Sequence, residues 1–164
     1  MSRRAPASTP AVAALLRAGV AHELHPYEHD RASELSYGLE AAAALGVPPS
    51  AVFKTLCVRA DGSLSMAITP VDGTLDLKAV AKALGAKRAT MAEPAEAERA
   101  TGYVVGGISP LGGRKRLPAV LDATALELDR LYVSGGQRGL DISLAPTDLV
   151  GLTGATIAPI RKDS

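Results

Sequence analysis

The chain has 164 residues, 47% of them hydrophobic, and a net charge of +1, which fits one domain with a real core and excludes a surface that binds nucleic acid by bulk charge. A single cysteine, Cys57, excludes an internal disulfide or a Cys-rich zinc site and suits a reducing, cytoplasmic setting. With one Phe, no Trp and four Tyr, the core must be built from Ala, Val, Leu and Ile, so a tyrosine placed in a cleft stands out. No apolar run reaches membrane-spanning length, and Met1-Ser2-Arg3-Arg4 reads as the start of a frayed terminus covering residues 1–8 rather than a transit peptide.

In chain order, Ser8-Thr9-Pro10 caps a helix over Pro10 to Ala18 that Gly19 ends. His22 to His29 is a short polar piece broken by Pro26, suited to a sheet edge. Ser33 to Leu45 is expected to be helical, with Gly46 and Pro48-Pro49 as its stop. Val52-Phe53-Lys54-Thr55-Leu56-Cys57-Val58 reads as a strand, and Asp61-Gly62 turns it into a second strand, Leu64 to Thr69. A helix follows over Leu75 to Leu84, capped near Asp76, and another opens at Glu93-Pro94 and closes at Gly102. Strands are expected at Leu117 to Leu121, Leu131 to Ser134 and Leu140 to Leu144, with Gly135 to Gly139 as the turn between the last two. A helix from Pro146 and a strand over Thr156 to Ile160 complete one α+β domain, with no linker or repeat.

Lys54 is the chemically conspicuous residue. Alternation puts it on the same strand side as Val52, Leu56 and Val58, so its ammonium must snorkel out, pair with a carboxylate, or sit in a cleft where desolvation lowers its pKa. Cys57, on the opposite side, reads as a small core residue. Gly102 to Gly113 carries enough glycine to imply unusual dihedrals or a backbone pressed against a ligand. Gly107 and Gly112 are spaced as in a phosphate loop, but Gly113 and Arg114 replace the required Lys and Ser/Thr, so nucleoside triphosphate binding is rejected. Ser109 is rejected as a hydrolase nucleophile because Leu111 stands where the second glycine of that elbow belongs. His22, His25 and His29 would diverge on an extended strand and read as solvated edge residues, not metal ligands. Arg114-Lys115-Arg116 is either a solvated turn or a phosphate contact, and Asp141, on a strand face with Ser143, is compatible with simple exposure.

Four stretches together, Val52-Phe53-Lys54-Thr55-Leu56, Leu75-Asp76-Leu77-Lys78, Thr101 through Gly112 and Tyr132 through Ile142, closely resemble the YbaK/EbsC family, in the same order and at compatible spacing. The resemblance spans about Thr9 to Ile160. It implies an α+β fold with a mixed, mostly antiparallel sheet partly closed into a barrel and flanked by helices, like the editing domain of bacterial prolyl-tRNA synthetases. It also implies deacylation of a mischarged tRNA(Pro), in the first place Cys-tRNA(Pro), without metal or cofactor. The substrate's own thiol would attack its ester and leave as a thiolactone, so no catalytic triad is needed. By position, Lys54 is the family's essential lysine and Thr55 its neighbour. Tyr27, Gly106, Ser134 and Asp141 fall near the substrate, together with Gly107 and Gly136 of the glycine loops, and Tyr37 stands where a relative has Phe. Transient partnership with prolyl-tRNA synthetase follows from the resemblance and from the low charge, with no DNA or membrane partner. Lys78, Lys82, Arg114, Lys115 and Arg116 are candidate contacts to tRNA phosphates. Two alternatives remain at this point: a deacylase for alanine or another small residue, and a binder of the aminoacyl-tRNA end that does not hydrolyse it.

Overall fold

The computed structural model describes residues 8–30, 32 and 35–163. The expected frayed terminus therefore lies almost wholly outside the described residues. Helix α1 (Pro10–Ala18) starts where the Thr9 hydroxyl accepts the Val12 N–H at 3.1 Å and stops at Gly19 in the left-handed region. Strand β1 (Glu23–Pro26) follows, then helix α2 (Tyr37–Leu45). Ser33, the expected start of that helix, lies outside the described residues; Leu35 and Ser36 are not helical, and Ser36 is the cap, its hydroxyl facing the Leu39 N–H. Strands β2 (Phe53–Ala60) and β3 (Ser63–Pro70) form the expected hairpin, with φ of 50° at Asp61 and 88° at Gly62, the pair of positive values that a two-residue type I′ turn needs.

Beyond the hairpin lie β4 (Thr74–Leu75), α3 (Leu77–Leu84) capped by Asp76, β5 (Ala89–Met91), α4 (Pro94–Thr101) and β6 (Ala119–Asp122). Strands β7 (Leu131–Gln137) and β8 (Leu140–Leu144), helix α5 (Pro146–Thr153) and the short strands β9 (Thr156–Ala158) and β10 (Arg161–Lys162) complete the order. The glycine turn expected from Gly135 is shorter than its sequence suggested. β7 continues to Gln137 through an irregularity between Ser134 and Gln137, leaving Arg138 and Gly139 to reverse the chain.

The strands form a five-stranded sheet in the order β5-β2-β3-β6-β9, a three-stranded sheet β1-β8-β7, and the pair β10-β4. Five of the seven pairings are antiparallel, and β3-β6 and β6-β9 are parallel. The sheets are mixed as expected, and among the described residues they form no closed barrel. Among the described residues the two larger sheets meet at one parallel bridge, Val52 to Tyr132.

The main core lies between these sheets and α1, and includes Leu15, Phe53, Ile68, Leu121, Val133 and Ile142. The other face of the large sheet packs Val58, Ala67 and Val120 against Val80 of α3 and Ile160. Its central strands are thus covered on both sides, which explains their near-continuous apolar runs. Among the described residues no helix is long and apolar enough to cross a membrane.

Candidate active site

Strand β5 pairs with β2 only at Val58, Arg59 and Ala60. The rest of that edge, from Phe53 to Cys57, borders a cavity of about 320 Å3. Both alternating sides of the strand line it, Lys54 and Leu56 as well as Phe53, Thr55 and Cys57, because the cavity opens along the strand margin rather than above one face. Helix α2 contributes Tyr37 and Ala41, α4 contributes Ala97, the glycine loop contributes Val105, Gly106 and Ile108, and the small sheet contributes Ser134 and Asp141.

Of the three fates open to Lys54, the cleft is the one observed. Its ammonium is half-buried and donates to the Gly73 carbonyl oxygen at 3.0 Å, and it forms no ion pair among the described residues. Burial pushes the ammonium below its ordinary range, while the nearby Asp72 carboxylate works against that shift. Beside it, the buried Thr55 hydroxyl has no hydrogen-bond partner among the described residues, and neither does that of Thr69, the residue opposite Lys54 on β3. Such orphaned hydroxyls are costly unless a ligand satisfies them.

Asp141 is not exposed: it is 5% accessible, and burial pushes its carboxyl from 3.8 to about 7. Across the small sheet it stands opposite Ser134, whose hydroxyl accepts the Gly136 N–H at 3.1 Å. The Tyr27 phenol is pushed up to about 12, by burial first and then by the Asp141 carboxylate. Gly106 has φ 91°, and a side chain there would meet the Tyr37 ring and the Arg138 Nε at 2.9 Å. Arg138 lies over the Tyr37 ring and donates from Nε to the Val105 carbonyl at 2.9 Å, so the glycine loop, α2 and the β7-β8 turn are clasped together at the cavity wall.

The cavity thus collects Lys54, Tyr27, Tyr37, Thr55, Gly106, Ser134 and Asp141. Two expected glycines lie elsewhere. A Cβ added at Gly107 would stand 2.8 Å from the Gln137 Cα, and one at Gly136 would stand 2.9 Å from the Tyr103 ring and 3.0 Å from Thr9, so both serve close approach of chain segments rather than the cavity surface. Lys78 and Lys82 are exposed on α3, and Arg114 reaches the Arg99 carbonyl. Lys115 and Arg116 line a second cavity of about 230 Å3 with Arg17, behind the same glycine loop. His22, His25 and His29 point to three separate partners, the Val20 carbonyl, the Ser143 hydroxyl and the Glu40 carboxylate. Sequence reasoning missed Cys57 as a lining residue. No pattern could mark it, since alternation correctly put it opposite Lys54 but could not show the open strand margin.

A small, largely apolar cavity at a strand edge, with a half-buried lysine, a buried carboxyl and a glycine loop in its wall, defines a site for a compact ligand carrying a few polar groups. Residues 35–152 match the family described as the aminoacyl-tRNA editing domain. The chain therefore belongs to that family, of YbaK/EbsC type, and is an aminoacyl-tRNA deacylase by class. It is 38% identical over 120 residues to EbsC of Enterococcus faecalis, a protein assigned as a Cys-tRNA(Pro)/Cys-tRNA(Cys) deacylase, with 73% of each chain covered. It is 29% identical over 98 residues to the multifunctional Ser/Thr-tRNA deacylase ProXp-y of Escherichia coli, covering 59% of each. A crystal structure assigned to a trans-editing enzyme for prolyl tRNA synthetase superposes with a TM-score of 0.83 at 25% identity, covering 96% of this chain and 99% of that one.

Proposed function

We propose that the chain is a trans-editing deacylase that clears mischarged Cys-tRNA(Pro), in transient company with prolyl-tRNA synthetase. The observation that carries this reading is the Lys54 ammonium, held on a backbone carbonyl at the wall of a cavity sized for an amino acid rather than for a nucleotide chain. An aminoacyl ester is already activated, so a site need only orient it and stabilise developing oxyanion charge. Lys54 does this as a cation at the ribose or terminal phosphate, Gly106 offers backbone to the amino-acid end, and Thr55 and Asp141 give it polar partners. The cysteinyl thiol attacks the ester carbon, a sulfur–carbon bond replaces the carbon–oxygen bond, and the thiol proton ends on the ribose oxygen. Lys54 as general base is the competing assignment. Deacylation assays with Cys-, Ala-, Ser-, Thr- and Pro-tRNA(Pro) test the substrate. The S-methylcysteinyl ester tests the mechanism, since its continued cleavage excludes attack by the thiol.

A second reading, removal of serine or threonine, is supported by the Thr55 hydroxyl, which has no partner among the described residues and shares the cavity wall with the buried Asp141, because a site that hydrogen-bonds a substrate hydroxyl strongly rejects analogues lacking one. Preference for Ser-tRNA or Thr-tRNA over Cys-tRNA in the same panel decides for it. With a net charge of +1 the chain has little electrostatic means of choosing one tRNA, so selection falls to the synthetase. Equal tRNA selectivity with and without added synthetase refutes that partnership.

A further inference from the structure

The C-terminal strand β10 lies outside the residues matched to the family, yet one of its side chains reaches the support of Lys54. Its backbone is fixed first: buried Asp122 accepts the N–H groups of Ile160 at 2.8 Å and Arg161 at 2.9 Å. From there Arg161 donates through Nε to the Asp72 carboxylate at 2.8 Å and through Nη2 to the Asp72 carbonyl at 3.2 Å. The next residue is Gly73, whose carbonyl receives Lys54. Gly73 has no room for a side chain, since an added Cβ would stand 2.7 Å from Arg161 Nε and from the Lys162 carbonyl. The turn that holds the lysine is therefore itself held by β10.

We propose that Arg161 is a positioning residue for Lys54: it occupies the Asp72 carboxylate and fixes the Gly73 carbonyl, so that the lysine is tethered by a neutral group and aimed into the cavity. The inference rests on the reading of Lys54 as the acting group. Asp72 is the carboxylate close enough to influence Lys54 from the β3-β4 side, where Arg161 faces it, and the titratable groups sharing the cavity are Tyr27, Tyr37, Cys57 and Asp141. Thr69, across the hairpin, is neutral. With Arg161 removed, Asp72 becomes an unclaimed anion next to an ammonium. Pairing between them draws Lys54 back from the cavity and stabilises its charged form.

The test uses the full chain and the aminoacyl-tRNA it cleaves best, with single-turnover rates measured against pH. R161M is expected to lower the maximal rate by about 10- to 100-fold, the scale of a misplaced reacting group. KM is expected to stay nearly constant and the alkaline limb of the profile to move to higher pH. R161M/D72N, which removes the competing anion, is expected to recover to within about threefold of D72N alone, and R161K to be intermediate. Equal damage in R161M and R161M/D72N, with an unmoved alkaline limb, marks a purely structural role and overturns the proposal, as does an unaffected R161M. Should R161M not fold, D72N alone decides: its alkaline limb must move to lower pH, and an unmoved limb overturns the proposal. K54A separates the two layers. An active K54A defeats the reading of Lys54 itself, whereas an inactive K54A beside an unaffected R161M defeats only the role of Arg161.

Discussion

The Arg138 guanidinium carbon lies 4.9 Å from the centre of the Tyr37 ring, and a Cβ added at Gly106 would stand 2.9 Å from both partners of that contact, so no side chain fits there. Among the described residues Tyr37 is held by its ring, against Arg138 and His29, rather than by a hydrogen bond from its hydroxyl. Y37F is accordingly expected to change stability by no more than about 0.5 kcal/mol and to leave deacylation near wild type. G106A forces a side chain onto φ 91° and into the ring, and is expected to cost about 1–3 kcal/mol, with a clear loss of activity. Thermal unfolding and deacylation rates of the two variants check the contrast.

Lys54 is the residue whose loss should be most severe. K54A is expected to lower deacylation by about 10²–10³-fold, the range seen when a preorganised electrostatic group is removed, while leaving the unfolding transition largely in place. The pH profile reports its role. Because burial sets its titration below the ordinary lysine range, a cationic Lys54 predicts activity that falls as pH rises through that lowered value, and a basic Lys54 predicts activity that rises there.

Asp141 links stability to pH in a direction opposite to that of a salt-bridged carboxylate. Its folded-state value of about 7 exceeds its ordinary 3.8, so the folded protein binds more protons than the unfolded chain between those limits. Stability is expected to fall as pH rises from about 4 to about 7 and then to level off, with a limiting effect on the order of 4 kcal/mol. D141N, which cannot ionise, is expected to unfold at a higher temperature than wild type at pH 8. The advantage should shrink toward pH 4. Unfolding temperatures at the two pH values check the sign.

Arg17, Lys115 and Arg116 line the second cavity with no acidic neighbour among its lining residues. If they contact tRNA phosphates, the variant R17Q/K115Q/R116Q should weaken binding of full-length tRNA. It should also flatten the salt dependence by about 0.7–0.9 in log–log slope for every phosphate no longer neutralised. A smaller change is expected for K78Q/K82Q, whose side chains line neither cavity. Equilibrium binding across a salt series measures both.

The hairpin carrying Lys54 was legible because alternation, β-branching and Asp-Gly agree over a long stretch, and the helix ends were legible because Thr9, Asp76 and the following glycines have strong local preferences. The burial of Asp141 was not legible. Alternation predicts two unlike faces, but β8 has its apolar face on the core, while on its polar face Asp141 lines the cavity and Ser143 is bonded to His25 and Arg130, so all five of its residues are buried. The open margin of β2 was equally hidden, since it depends on how short β5 is, and Ala89-Thr90-Met91 carries no periodic signal. Tyr27, Gly106 and Ser134 entered the expected site through family resemblance alone. Partial closure into a barrel, implied by the same resemblance, is a tertiary property that the strand pattern left undetermined.

The loop between α4 and β6 is a partition with a room on either side. Val105, Gly106 and Ile108 border the first cavity, and Ser109 through Gly113 border the second. An engineer reshaping this segment to admit a bulkier acyl group would disturb the basic recess behind it at the same stroke. Retuning amino-acid preference alone would have to begin from α2 and β2, through Tyr37, Ala41 or Cys57, which touch only one compartment.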